Sequence, residues 1–331
     1  MLVDPNKRDR GWAETGDSST PVVVSFFDDL NENINDCVLQ QAYKKFLHRY
    51  ENARNFVRNV QLRCVFVPST ATSSQNSVRD LVAAHNETMD VISRDPNYAV
   101  RNVGRLFAHL MIDDNQAHLF DRASGVTDNE PYFFDKASGV TAQTLEAHAG
   151  SDVWVFDFDN TLTCASGLVS TMNAEEEKWA FQQKGDVMYA TWANCLRRDL
   201  GALLPNKTPA NYGVASWDEI DLSPTVVMRV LMGGTWRYDR IFDAYMKAGV
   251  DGRLADVYIL TSNPMYPLIA YLCGAFFRTD LSMKTFSKHG VEKLFNVEEN
   301  RIEYQDKGTI IAEYVLPAVA RAYTAQHRKT F

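Results

Sequence analysis

Four short runs along the chain are apolar at nearly every position: Val22 to Phe27, Leu62 to Val67, Val153 to Phe156 and Val257 to Leu260. Runs of this length, rich in β-branched and aromatic residues and lacking polar alternation, predict strands covered by helices on both faces of a parallel sheet. Helical periodicity fills the intervals. Val38, Ala42, Phe46 and Tyr50 recur every four residues and predict a helix over 36–50; Leu81, Val82, His85 and Met89 predict another over 78–92, and a third spans 98–110. Residues 175–182 and 186–200 are helical in composition, with Trp179, Phe181, Tyr189, Trp192 and Leu196 forming an aromatic-rich stripe that reads as core. Further on, Trp236, Arg240, Asp243 and Met246 mark one helical line, with Ile241, Phe242 and Tyr245 as the apolar face and Gly249 as the stop. Arg301 to Tyr304 reads as a strand, and from Gly308 a helix turns Ile310, Ile311, Tyr314 and Val315 inward, with a kink expected at Pro317. Strands alternating with helices in this way predict a three-layer, Rossmann-like α/β fold.

The 331 residues are enough for one large domain or two modest ones. Residues 1–20 are polar, contain Gly11 and Gly16, and read as a mobile arm. A first core segment is expected over 21–68 and a helical insertion or linker over 69–150. The main core is expected over 151–163 and 233–331, with an insertion over 164–232 between its two parts. Within the linker, Phe120-Asp-Arg-Ala-Ser-Gly-Val-Thr127 recurs as Phe134-Asp-Lys-Ala-Ser-Gly-Val-Thr141. One pair of copies is too few for a solenoid and reads as two similar turns.

A net charge of −8 argues against a broadly basic nucleic-acid coat. A local exception lies in 41–63, where Lys44, Lys45, Arg49, Arg54, Arg58 and Arg63 face the single acid Glu51 among interleaved aromatics. Such a face is usually solvated, and contact with nucleic acid is the sharper alternative. Five cysteines without a CxxC pair favour a reducing, intracellular setting with the thiols as small buried hydrophobes. No run of about 18 apolar residues occurs, so a soluble chain without a membrane partner is expected. Oligomeric state stays open, including a homo-oligomer in which one copy lends residues to another.

The candidate chemistry is concentrated at the end of the third run, where Asp157 and Asp159 follow Val153 to Phe156 directly. Parallel strands present ligands at their carboxyl ends. A carboxylate there can attack an electrophile, while a second one on the adjoining loop protonates a leaving group and later deprotonates water. Their mutual repulsion calls for a hard cation with oxygen ligands, Mg²⁺. The first run ends in the same way, in Asp28-Asp29. Leu110-Met-Ile-Asp113-Asp114 is a weaker rival for an acidic pair after apolar residues.

Asp157-Phe-Asp159-Asn-Thr161 resembles the DxDxT first motif of the haloacid dehalogenase superfamily, in its phosphatase branch. The resemblance implies that Asp157 is a nucleophile that becomes phosphorylated and Asp159 the general acid and base. By the same resemblance, Thr261 at the end of the fourth run is the second-motif hydroxyl that binds the phosphoryl group. Ser262 and Asn263 stand close behind it, and Thr161 joins them at the substrate. A third-motif lysine is implied too, which Lys307 suits best, with Lys284 as rival. Asp28, with Asp29 in support, would be the fourth-motif carboxylates that hold Mg²⁺ together with Asp157 and the carbonyl of Asp159. In the family that segment follows the other motifs, whereas here it precedes them, so a circular permutation is expected. Residues 164–232 occupy the position of a cap. The implied activity is hydrolysis of a phosphate ester through a phosphoaspartate. The alternatives are an idle scaffold of the same fold and a protein that binds nucleic acid or processes its ends.

Overall fold

The structure, a computed structural model, describes residues 22–34, 60–69, 78–111, 139–165, 168–249, 254–287, 294–296, 301–303 and 307–319. Strand β1 (Val22–Asp28) leads into a single helical turn, α1 (Asn31–Ile34). After β2 (Val60–Phe66) come α2 (Val78–Ser93), α3 (Tyr98–Met111) and the short α4 (Ala142–Ala147). Strand β3 (Val153–Phe156) is followed by α5 (Ala174–Ala180), α6 (Gly185–Leu203), α7 (Pro224–Leu231) and α8 (Thr235–Lys247). Then come β4 (Asp256–Thr261), α9 (Tyr266–Phe277) and β5 (Thr285–Ser287), and a hairpin of β6 (Leu294–Asn296) and β7 (Arg301–Glu303) precedes α10 (Lys307–Ile310).

The five main strands form one sheet in the order β2-β1-β3-β4-β5, with every neighbouring pair parallel. Its two faces are sorted by strand alternation. Val22, Val24 and Phe26 of β1, Val153 and Val155 of β3, and Tyr258 and Leu260 of β4 point to one side, where Ile310, Ile311, Val315, Leu316 and Val319 cover them. Phe27, Trp154, Phe156, Val257 and Ile259 point to the other side and join a larger cluster with α3, α6, α7 and α9. The all-apolar runs are thus two interleaved faces, each needing its own layer of helices, which makes the fold a three-layer Rossmann-like α/β core.

Several sequence expectations change in the structure. Arg301–Glu303 pairs antiparallel with Leu294–Asn296 in a separate two-stranded sheet, so the strand before Lys307 is no part of the main sheet. Trp179 and Phe181 are exposed, and only Tyr189, Trp192 and Leu196 of the expected stripe are core. The split follows from α5 being a separate short helix that ends at Ala180, before the stripe continues on α6. The helix expected over 98–110 is present and runs to Met111. Pro317 sits in continuing helix, and a π turn over Ile311–Val315 takes up the distortion ahead of it. The helices within 168–232 share one hydrophobic cluster with the sheet. The expected helix over 36–50, Lys44 to Arg58 of the basic stretch, Asp113 with Asp114 and the first repeat copy lie outside the described residues. Among the described residues no helix is long and apolar enough to cross a membrane.

Candidate active site and cation centre

From β1 the chain steps outward to β2, then returns to the opposite side of β1 to lay down β3, β4 and β5. The winding direction reverses between β1 and β3, and loops leaving adjacent strand ends at such a point diverge and open a crevice. Register sets what stands there. Phe27 lies opposite Phe156, and the amide of Asp157 donates to the carbonyl of Phe27 at 3.0 Å, so Asp28 and Asp157 leave the sheet at the same level.

Asp28, Asp29 and Asp157 are all buried, and one carboxylate oxygen from each lies within 4.8 Å of the others. Lys307, at the start of α10, bridges two of them, with Nζ at 2.8 Å from Asp28 Oδ2 and 2.9 Å from Asp157 Oδ1. Three anions facing one ammonium leave negative charge uncompensated in a poorly solvated place. Burial pushes the Asp157 carboxyl well above the usual range, with Lys307 pulling against it and Asp28, Asp29 and Asp159 adding repulsion. Burial and the neighbouring Asp28 raise Asp29 to about 6. Lys307 is raised despite its burial, because Asp157 and Asp28 hold its proton.

The two adjacent aspartates are held differently. Asp28 Oδ1 accepts from the Leu30 amide at 2.8 Å and Asn33 Nδ2 at 3.0 Å, and Oδ2 from Asn33 at 3.1 Å and Lys307 at 2.8 Å. These donors fill the roughly four acceptor positions of a carboxylate. Asp29 accepts from the Thr161 hydroxyl at 3.3 Å and from its own backbone amide. Both members of the expected pair, Asp28 and Asp29, stand in the cluster with Asp157. Asn33, which the sequence reading passed over, locks Asp28 from five positions downstream; its only sequence signal was its place in the turn after an acidic pair.

The segment after β3 is an irregular turn over Phe158–Leu162, with Asp159 in extended backbone and Asn160 left-handed at φ 57°. Asparagine tolerates that region better than other L residues. Asp159 is half-buried beside the cluster, and its carboxylate is not one of the three grouped there. Thr161 is fully buried, so its hydroxyl orients Asp29 instead of lining an open surface. Thr261 ends β4, and its hydroxyl oxygen accepts from the Asn263 amide at 3.1 Å, leaving its own proton to donate. Ser262 is exposed, while Asn263 is tied into the turn by accepting from the Met265 amide at 2.9 Å. The rival Lys284 pairs with Asp256, the first residue of β4, and so lies at the opposite edge of the sheet.

Fold and site define a doubly wound α/β protein with a buried centre of three carboxylates and one lysine at its switch point. No known protein family, curated protein or solved structure matches the chain.

Proposed function

We infer that the chain is a phosphohydrolase of the haloacid dehalogenase type, cation-dependent, with its motifs in permuted order. The single observation that carries this reading is the convergence of Asp157, the Asp28–Asp29 pair and Lys307 from three separate stretches of sequence. Direct pairing of β1 with β3 brings the early acidic pair beside the nucleophile candidate. The sheet itself needs no rearrangement to do so, and permutation describes its relation to the family's motif order.

Oxygen donors alone suit a hard cation, and the three carboxylates present fit one. Asp157, Asp28 and Asp29 would hold Mg²⁺ through one carboxylate oxygen each, and the ion would neutralise charge on the transferring phosphoryl group. In the proposed reaction an ionised Asp157 oxygen forms the bond to phosphorus as the ester oxygen leaves, and Asp159 gives that oxygen a proton. Asp159 then takes a proton from water, which cleaves the phosphoaspartate to inorganic phosphate and restores Asp157. Lys307 offsets the charge of Asp157, and the Thr261 hydroxyl donates to a phosphoryl oxygen. Positioning and charge stabilisation carry most of such a transfer.

Hydrolysis of an aryl phosphate by the full chain, with Mg²⁺ and with EDTA, tests this. Activity is expected only with Mg²⁺ and should fall by at least about a thousandfold in Asp157→Asn, as for loss of a nucleophile. Activity retained in Asp157→Asn, or insensitive to EDTA, would sink the reading.

A further inference from the structure

We propose that Arg237 is a positioning residue for the cation centre, acting through Val140 and Thr161 on Asp29. This deepens the reading above and rests on it. Arg237 belongs to α8 and is 4% exposed. Its Nε and Nη2 both donate to the carbonyl of Val140, at 3.2 and 2.9 Å. The amide of that same residue donates to the carbonyl of Thr161 at 2.7 Å, and the Thr161 hydroxyl reaches Asp29. A hydrogen-bonded path therefore runs from a buried guanidinium to a carboxylate of the acidic cluster.

Two features show why the path matters. The Phe158–Leu162 turn has non-helical backbone at Asp159 and Asn160, so no regular ladder sets the place of Thr161. Such backbone persists only where its surroundings over-determine it. Gly139 lets the bracing segment approach, since at φ 87° a Cβ would meet Arg237 Nη2 at 1.8 Å and the Thr161 carbonyl at 2.6 Å. Burying a guanidinium is expensive, and its planar fork converges two N–H donors of fixed geometry on the one Val140 carbonyl. The second copy of the sequence repeat thus has a use here: Gly139 for approach, Val140 as the bridge, and Thr141 as the cap of α4.

Calorimetric titration of the full chain with Mg²⁺ tests the path in wild type, Arg237→Lys, Thr161→Val and the double variant. Each single change should weaken Mg²⁺ binding about 10- to 100-fold, as removal of groups that orient metal ligands does. Because both act on one path, the double variant should bind no more weakly than the worse single variant. Should Arg237→Lys fail to fold, Gly139→Ala takes its place in the same cycle. Unchanged Mg²⁺ affinity with only a lowered melting temperature in EDTA would overturn the proposal, as would additive losses. Wild-type chain that binds no Mg²⁺ would overturn this inference and the phosphohydrolase together; wild type that binds and hydrolyses, beside unaffected variants, would overturn this inference alone.

Discussion

Asp28 and Asp29 are chemically identical neighbours, and the structure surrounds them with different hydrogen-bond donors. Asp28 is saturated by Leu30, Asn33 and Lys307, whereas Asp29 accepts from Thr161 and from its own backbone amide and is pushed up to about 6 by burial and by Asp28. Because the folded pKa of Asp29 lies above its ordinary 3.8, the folded chain holds a proton that the unfolded chain has released between about pH 4 and 6. Stability contributed by this group is therefore lost as pH rises through that window. His85 acts in the opposite sense. Burial lowers it from 6.5 to about 4, so its contribution is lost as pH falls through that range. The raw wild-type curve mixes both, and variants separate them. In EDTA at pH 7–8, Asp29→Asn should melt higher than wild type and lose any Mg²⁺-dependent rise in melting temperature. Asp28→Asn should melt lower, by roughly 3–5 kcal/mol, since it leaves Lys307 with a poorer partner and turns an amide toward the Asn33 and Leu30 donors. Thermal melts of both variants across pH decide the matter, and equal behaviour would remove the distinction between the two aspartates.

Strand β1 is buried at all seven positions and carries the acidic pair into place. Its last aromatic, Phe27, stacks on Phe156 with centroids 4.8 Å apart and meets Trp154 and His148 edge-on. This contact locks β1 to β3 one residue before the two aspartates emerge. Phe27→Ala should destabilise the chain by about 3–5 kcal/mol in a denaturant titration, the usual range for a buried phenylalanine. A loss under 1 kcal/mol would mean that backbone pairing alone holds the register. The existence of β1, β3 and β4 was legible from their apolar runs. The hairpin role of Arg301–Glu303 was not, because three residues carry too little pattern to distinguish a core strand from an isolated ribbon.

One hydrophobic cluster joins a sheet face to helices drawn from α3, α6, α7 and α9. Segments distant in sequence therefore share a core, and interface and interior are not separable. Thermal unfolding should be a single cooperative transition by both far-ultraviolet circular dichroism and tryptophan fluorescence. Trp154 and Trp192, both fully buried, report from the sheet and from α6. Two separated transitions would show that residues 168–232 fold as an independent unit.

Local chemistry written in the chain determined the strand ends and the Asp157-Phe-Asp159-Asn-Thr161 signature, since each depends on residue types within a few positions. Tertiary structure alone decided which of these meet. Whether Asp28 lies beside Asp157 depends on β1 pairing with β3 in one register, a long-range choice set by two packed faces and invisible to periodicity. The same holds for the different hydrogen-bond partners of Asp28 and Asp29, for the burial of Thr161, and for the contact of Arg237 with Val140. Hydrogen bonds between residues far apart in sequence have no local signature, because they form only after the sheet has brought its strand ends together.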